Sequence, residues 1–540
     1  MFLKTLLGLY SARLPAVLVS AFRAGNNSVP AYLSWFHSQR SLALPEGAVD
    51  QSRSQLTRTM QLFALAWLVL LGVLTAKTLN GKYDGFWAFT VATAMAYPII
   101  MAYGLAVFEW VGQFSQNILH PKRIVRSLVC NVLEWQVKRL RKKHKFKVIA
   151  VSGSVGKTTT KLAIAQMLGQ TKRVQFQRGN YNDRVTVPLV FFGHKSPNLY
   201  NPFAWARLVG HNEAAIASKY PYDFVVVEIG TDGPGQMRDF AYLRPDICVV
   251  TAISPEHMEN FDGLEGVMAE EQNVFKYSKI VLINTDDTPS EFYKDKKYIS
   301  YGFQVGSDYA AKLKPHNLNQ QTLSISKAKR TFVVSTGLVG TQGAKSMLAA
   351  VSVADLLDVP ASKIEESSIA VRQCPGRMQV LKGLKNSTLI DDCYNSSPIA
   401  VKAALDVLYD NKALQKIAII GSMNELGGYS KQAHQEIGEY CDAKQIDLLV
   451  TVGADAKRWL AVAAKARGCN VRSFLSPYDA GRFVAARLKS GAVVLAKGSQ
   501  NKIYTEEALR KLLAHPIDAK KLVRQDKSWQ ILKLKQFPEQ

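Results

Sequence analysis

Residues 148–168, VIAVSGSVGKTTTKLAIAQML, carry the side-chain types and spacing that hold phosphate. A short apolar run, VIAV, enters a turn of small residues that ends in Gly156, Lys157 and Thr158, and an apolar-periodic helix follows. In a strand, turn and helix of this kind the backbone N–H groups around Gly153, Ser154, Val155, Gly156, Lys157, Thr158 and Thr159 aim at one point, where the helix dipole adds to them. The lysine neutralises the outer phosphates, and the threonine hydroxyl offers an oxygen to Mg²⁺. The chemistry therefore starts from a nucleoside triphosphate.

Positioning that loop takes an α/β framework. From Lys147 onward the pattern repeats strand, turn and helix, which predicts a domain with a mainly parallel sheet. Apolar strand candidates are DFVVVEIG, DICVVTAI and KIVLIN, and polar groups stand at their C-terminal ends: Glu228, then Ser254 and His257, then Asn284. Ligands of open α/β sheets bind along that edge, so Thr158, Glu228 and His257 are expected to meet there although they lie far apart in sequence. Residues 337–359 predict a helix, and a boundary is placed at Cys374 and Pro375. A second α/β pattern follows in STLIDD, KIAIIGS, DLLVTVG and AVVLAKGS. In the turn DDCYNSSP a strand ends at Asp391 and Asp392, Ser396 or Ser397 is placed to cap a helix starting at Pro398, and Tyr394 and Asn395 are presented between them.

The chain has 540 residues, room for several domains, and a formal charge of +25 that asks for an anionic partner: nucleic acid, an acidic membrane surface or a phosphorylated substrate. Its six cysteines contain no Cys-x-x-Cys pair, which argues against a zinc ribbon or a disulfide framework and for a reducing compartment. Residues 60–76 and 85–108 are free of charge and predict a transmembrane helical hairpin. Residues 1–24 read as interfacial, as a poor further span or as packing on those helices. Arg40, Arg53 and Arg58 before the hairpin and the basic run after it, against Lys77 and Lys82 in the linking loop, put both ends on the cytoplasmic side. Residues 111–146 read as a basic amphipathic linker that would touch anionic headgroups. No nucleic-acid module accompanies it, so nucleic acid is not expected. The sequence thus predicts an integral protein of the bacterial cytoplasmic membrane, its catalytic domains in the cytoplasm. The predicted division is a membrane-anchoring region 1–146, a central P-loop ATPase domain 147–373 and a C-terminal Rossmann-like domain 374–540.

Seven runs together resemble the Mur ligase family. They are VIAVSGSVGKTTTK, GNYNDRVTVPL (179–189), VVVEIGTDGPGQM (225–237), EHMENFDGLEGV (256–267), GRMQVLKGLKNSTLIDDCYNSSP (376–398), GSMNELGGYSKQAHQEIG (421–438) and VLAKGS (494–499), in the family's order. The resemblance implies an ATP-dependent ligase of peptidoglycan precursor synthesis, nearest to the members that add a dipeptide. A muramoyl-peptide carboxylate, UDP- or lipid-linked, would be activated as an acyl phosphate and joined to D-Ala-D-Ala or a similar amine. It further implies that Lys157 serves as the phosphate-loop lysine, that Thr158 and Glu228 hold a first Mg²⁺ and His257 a second, and that Asn180 and Asn182 lie near the γ-phosphate. From the C-terminal domain, Arg377 would reach the ATP phosphates and Asp392 the ribose. Tyr394, Asn395, His434 and Lys497 also fall in family motifs.

This sequence departs from the family pattern at several places. Glu271 stands where a CO₂-carbamylated lysine usually holds the second Mg²⁺, and its carboxylate could do the same electrostatic work, with Glu270 as a neighbour able to substitute. Residues 342–346 replace a His-Asn-x-x-Asn stretch that serves the base, and Ser422 replaces an aspartate. The family's UDP-binding N-terminal domain has no counterpart in residues 1–146. Two other readings follow from these departures: a Mur-like amidating subunit acting on a lipid-linked precursor, which usually carries a zinc insert missing here, and a membrane scaffold that binds ATP without chemistry.

Overall fold

The computed structural model describes residues 14–24, 29–38, 55–79, 86–118, 121–177, 179–256, 258–261, 263–314, 318 and 320–538. The chain divides into two compact units, residues 1–128 and 129–540.

In the first unit the helices Leu14–Ala24, Val29–Ser38, Gln55–Leu79 and Phe86–Ile118 pack around Leu18, Phe22, Tyr32, Met60, Met101 and Leu105. The Tyr32 hydroxyl donates to the Ala102 carbonyl at 3.2 Å. This corrects the expected integral hairpin. Among the described residues a single helical window, Thr90–Val107, has the length and apolarity to cross a bilayer, and 44% of it is buried within the protein itself; Met60–Ala76 is shorter than that length. Two membrane spans, and with them an integral location in the cytoplasmic membrane, are therefore not what these residues support. The first thirteen residues lie outside the described residues.

The basic linker is corrected as well. Its last turns, the end of the helix Pro121–Lys143, belong to the second unit and spend their charges on it. Arg139 pairs with Glu213 at 2.6 Å, Arg141 with Asp246 at 3.1 Å, and Lys143 donates to the Ala217 carbonyl at 2.7 Å. These three cations have protein partners, and the expected anionic lipid contact is not supported.

The second unit is built on two sheets. In the first, β1 (Lys147–Ser152), β2 (Val174–Gln175), β3 (Phe224–Glu228), β4 (Ile247–Val250), β5 (Ile280–Asn284), β6 (Ile299–Gly302), β7 (Tyr309–Leu313), β8 (Gln321–Lys327) and β9 (Arg330–Thr336) run in the order β2-β3-β1-β4-β5-β6-β7-β8-β9. All neighbours are parallel up to β7, and β7, β8 and β9 form an antiparallel meander. The central strands are apolar throughout because both faces are covered. Ile149 and Val151 face the helices Lys157–Leu168 and Gly340–Leu356, while Val148 and Ala150 face Val190, Phe191 and Ile216.

In the second sheet, β10 (Gln379–Lys382), β11 (Thr388–Asp392), β12 (Lys416–Gly421), β13 (Leu448–Val452), β14 (Val471–Phe474) and β15 (Val493–Lys497) are ordered β10-β11-β15-β12-β13-β14, with only β10 antiparallel to its neighbour. The helix Pro398–Tyr409 begins at the proline, as the turn predicts, but neither serine side chain caps it; Ser396 N–H instead donates to the Asn395 side chain at 2.9 Å. The architecture is mixed α/β with parallel-dominated sheets.

Candidate active site

The phosphate loop leaves β1 at Ser152 and closes on the neighbouring strand. Gly153 has φ +112°, and a Cβ there would stand 2.6 Å from the Ala252 carbonyl, so only glycine lets the loop lie this close. Ser154 N–H donates to that same carbonyl at 2.8 Å, and the Ser154 hydroxyl donates to the Ser254 carbonyl at 3.0 Å. Gly156, φ +89°, precedes the helix Lys157–Leu168. Val155 and Thr159 line the space beside the loop.

Glu228, at the end of β3 and 1% exposed, is the node of the site. Its Oε2 accepts from the Thr158 hydroxyl at 2.9 Å and pairs with the Lys161 ammonium at 3.1 Å. Its Oε1 lies 3.5 Å from the Asn182 amide. Lys161, itself 1% exposed, also donates to the Gly179 carbonyl at 2.9 Å and so ties the 179–182 loop to the phosphate-loop helix. Asn180 lines the adjoining cleft from that loop.

The Lys157 ammonium donates to the Gly153 carbonyl and pairs with Glu256 at 3.6 Å. Burial works against its charge, but Glu256, Glu271 and Glu228 outweigh that and raise its pKa. Glu271, at the end of the helix Gly263–Glu271, is fully buried behind the loop. One of its oxygens accepts from the Ser152 hydroxyl, and the other has no hydrogen-bond partner. Burial pushes its pKa up to about 7 against the pull of Lys157. Glu270 is engaged elsewhere, accepting from the backbone N–H of Gly235 at 2.8 Å and of Met237 at 2.6 Å, which makes it an anchor for that turn. His257 lies outside the described residues.

The second sheet delivers Arg377 to the same point. Its guanidinium donates to the Thr158 hydroxyl at 3.3 Å and stacks 4.1 Å from the centre of the Tyr394 ring. Asp392, at the end of β11, accepts from Lys497 at 2.6 Å and from Met378 N–H at 3.1 Å. Lys497 also donates to the Asn395 carbonyl at 2.9 Å. His434 is fully buried. Its Nε2 accepts from Met423 N–H at 2.9 Å and its Nδ1 lies 2.7 Å from the Ser430 carbonyl, an arrangement that fixes the 421–424 turn. Burial lowers its pKa, in keeping with a neutral ring. Ser422 accepts from Ala456 N–H at 3.0 Å.

Between the sheets lies a cleft of about 560 Å³ whose walls include Lys157, Thr158, Glu228, Glu256, Arg377 and Tyr394. Glu271 is not among them. A narrower slot of about 70 Å³ continues past Gly156 and Thr159, between Gly340, Gln342, Met378 and Ala404, with Asp392 and Lys497 at its side. Gln342 and Lys345 both turn to Asp287, at 3.3 and 2.7 Å.

Residues 151–354 match the Mur ligase middle domain, and residues 376–500 match the Mur ligase, glutamate ligase domain. The chain belongs to the Mur ligase family. It is similar to the UDP-N-acetylmuramoyl-tripeptide–D-alanyl-D-alanine ligase of Haemophilus influenzae, 26% identical over 64% of this chain and 72% of that one. Its likeness to the same-named ligase of Synechocystis is 27% over 67% of this chain and 73% of the other. Among solved structures, MurF from Acinetobacter baumannii superposes with a TM-score of 0.59 at 21% identity, covering 71% of this chain and 79% of that one. MurF from Thermotoga maritima in complex with ADP gives 0.57 at 23%, covering 71% and 83%.

Sequence reasoning about this Mur ligase passed over Lys161 and Glu256, although both sit inside quoted motifs. The available signal was spacing: Lys161 follows Lys157 by one helical turn, which puts both ammonium groups on one helix face.

Proposed function

We propose that this Mur ligase is an ATP-dependent peptide ligase that joins D-Ala-D-Ala to the peptide carboxylate of a UDP-linked muramoyl tripeptide, with residues 147–373 as its ATPase domain and 374–540 as its second ligase domain. The observation that carries the reading is the Arg377–Thr158 hydrogen bond, which brings a cation of the second sheet onto the phosphate loop of the first across one shared cleft. The curated relatives are named for that reaction.

The Thr158 hydroxyl and Glu228 carboxylate, hard oxygen donors side by side in the cleft wall, fit one Mg²⁺; Glu271 keeps an unpartnered oxygen but lies behind the loop, outside that wall. In the proposal Thr158 and Glu228 hold a first ion, Glu271 and His257 a second. Bound there, Mg²⁺ supplies charge neutralisation for phosphoryl transfer. Lys157, Arg377 and the backbone of Gly153, Ser154, Val155, Gly156 and Thr159 bind the ATP phosphates. Asn180 and Asn182 border the γ-phosphate, and Asp392 with the narrow slot takes the ribose and base.

The acceptor carboxylate attacks the γ-phosphorus and ADP leaves, giving an acyl phosphate. The dipeptide amine then attacks the acyl carbon, loses a proton, and inorganic phosphate departs. Cations on both sides of the cleft offset charge in both steps, and walls from two sheets exclude water from the acyl phosphate.

The test is a product assay by mass spectrometry with UDP-muramoyl tripeptide, D-Ala-D-Ala, ATP and Mg²⁺. The expected product is the acceptor plus dipeptide less one water, with ADP and phosphate released in step and none formed by Lys157→Ala. Phosphate release that ignores the dipeptide, or a product lacking it, would overturn the reading.

A further inference from the structure

Beyond residue 500, where the family match ends, the chain runs through a short helix Glu506–Arg510 and a strap, and finishes the described residues with the helix Lys527–Gln536. Four charged side chains are buried at its base. Glu506 and Glu507 are 0 and 1% exposed, Lys533 is 2% exposed, and the Arg524 side chain is 6% exposed. Lys533 lies 2.9 Å from Glu506 and 2.6 Å from Glu507, and it donates to the Arg524 carbonyl at 2.8 Å.

Arg524 uses its whole fork. Nε and Nη2 grip the two Glu506 oxygens at 2.9 and 2.7 Å, while Nη1 donates to the Tyr394 carbonyl at 3.0 Å and Nη2 also to the Cys393 carbonyl. Its neighbour Val523 covers Gly376, where a Cβ would meet a Val523 methyl at 2.7 Å. Tyr394 N–H donates to the Gly376 carbonyl at 3.0 Å, so the backbone stretches that carry Arg377 and Tyr394 are already cross-bonded. Two consecutive strap residues therefore seat on the two stretches that carry the stacked pair.

We infer that the strap, through Arg524 with Val523, positions the Tyr394–Arg377 platform and so sets how well Arg377 meets a bound nucleotide phosphate. The inference rests on the proposed role of Arg377. Arg524 is a positioning residue: it touches only backbone carbonyls and Glu506, and acts through Tyr394. A lysine in its place keeps the charge beside Glu506 but cannot serve two carboxylate oxygens and two carbonyls at once.

Calorimetric titration of the full chain with ATP tests this by a double-mutant cycle. Arg377→Ala is expected to weaken ATP binding about tenfold and Arg524→Lys about fivefold, with the double variant within about twofold of Arg377→Ala alone, because a misplaced arginine has little left to lose. Should Arg524→Lys fold poorly by circular dichroism, Val523→Ala, which leaves the ion network untouched, carries the same cycle with a smaller first loss. Losses that multiply, or an Arg524→Lys chain that binds ATP like the wild type, overturn the inference while leaving the proposed function standing. A wild-type chain that binds no ATP removes the proposed function itself.

Discussion

The Glu256 carboxylate stands 3.6 Å from the Lys157 ammonium, with both side chains about five-sixths buried. An incoming phosphate must take the lysine from this partner. Glu256→Gln should therefore tighten ATP binding by about threefold in calorimetry, the scale of a modest partly buried ion pair. Unchanged or weaker affinity would show that Glu256 does not compete for Lys157.

Lys161 gives a second test. Its loss leaves Glu228 buried without its cation, so Lys161→Met should cost about 3–5 kcal/mol in urea unfolding. The same variant should gain more from Mg²⁺ than the wild type does, because the metal would then supply the missing charge. A rise in melting temperature with Mg²⁺ that is equal in both chains would contradict this.

For Glu271 the substitution Glu271→Gln keeps the volume and the Ser152 contact while removing the charge. Mg²⁺-dependent phosphate release should fall by about tenfold or more at an unchanged melting temperature. Added bicarbonate should not alter the native rate, since a glutamate needs no CO₂. Full activity in the variant would remove Glu271 from the metal site.

Asp391 lends stability a pH dependence. It is fully buried, and burial pushes its pKa up to about 6 despite hydrogen bonds from the backbone of Cys393 and Gly376. A raised acid holds its proton in the native state while the unfolded chain releases it, so its contribution falls as pH rises from about 4 to about 6. The stability of the wild type relative to Asp391→Asn should drop by roughly 1–3 kcal/mol across that window in urea titrations. A constant difference would mean that Asp391 ionises normally.

Arg141 reports on the basic helix. It bonds the Leu243 and Arg244 carbonyls and Asp246, and burial lowers its pKa. Arg141→Ala should destabilise the second unit by about 1–3 kcal/mol in chemical unfolding, since the Leu243 and Arg244 carbonyls lose their donor and Asp246 is left with Lys279 and the Val148 N–H. A change within 0.5 kcal/mol, the range usual for surface residues, would return this side chain to solvent.

Much of the second unit was legible in the sequence because its strands are apolar runs ending in polar residues: Phe224–Glu228 and Ile280–Asn284 both fall in predicted strands. The meander β7–β9 was missed for a physical reason. Its strands, YAAKL, QTLSISK and RTFVVST, are not the continuous apolar runs of the inner strands, and β8 joins β9 through Ala328 at φ +49°, a left-handed turn without the glycine or asparagine that would announce it. The basic helix was misread because charge in a sequence does not reveal whether its counter-ions lie in a membrane or in Glu213 and Asp246, many residues away. Motif spacing singles out Gly153, Lys157 and Thr158, the strand-end position singles out Glu228, and Arg377 comes from the family resemblance alone, whereas the pairings of Lys161 and Arg524 depend on contacts that no local pattern encodes.

Strand β1 is an inner strand of its sheet, paired with β3 and β4, which come nearly eighty and about one hundred residues later in the chain. During synthesis one edge of β1 waits for residues as far as Glu228 and the other for residues as far as Val250. Such non-local pairing is slow and exposes sticky surface meanwhile. The phosphate loop hangs from the end of β1, and its glycine closes against Ala252, so the nucleotide site acquires its shape only after that delay. Residues as far as Ala252 must be made before the loop has the strand end it closes against.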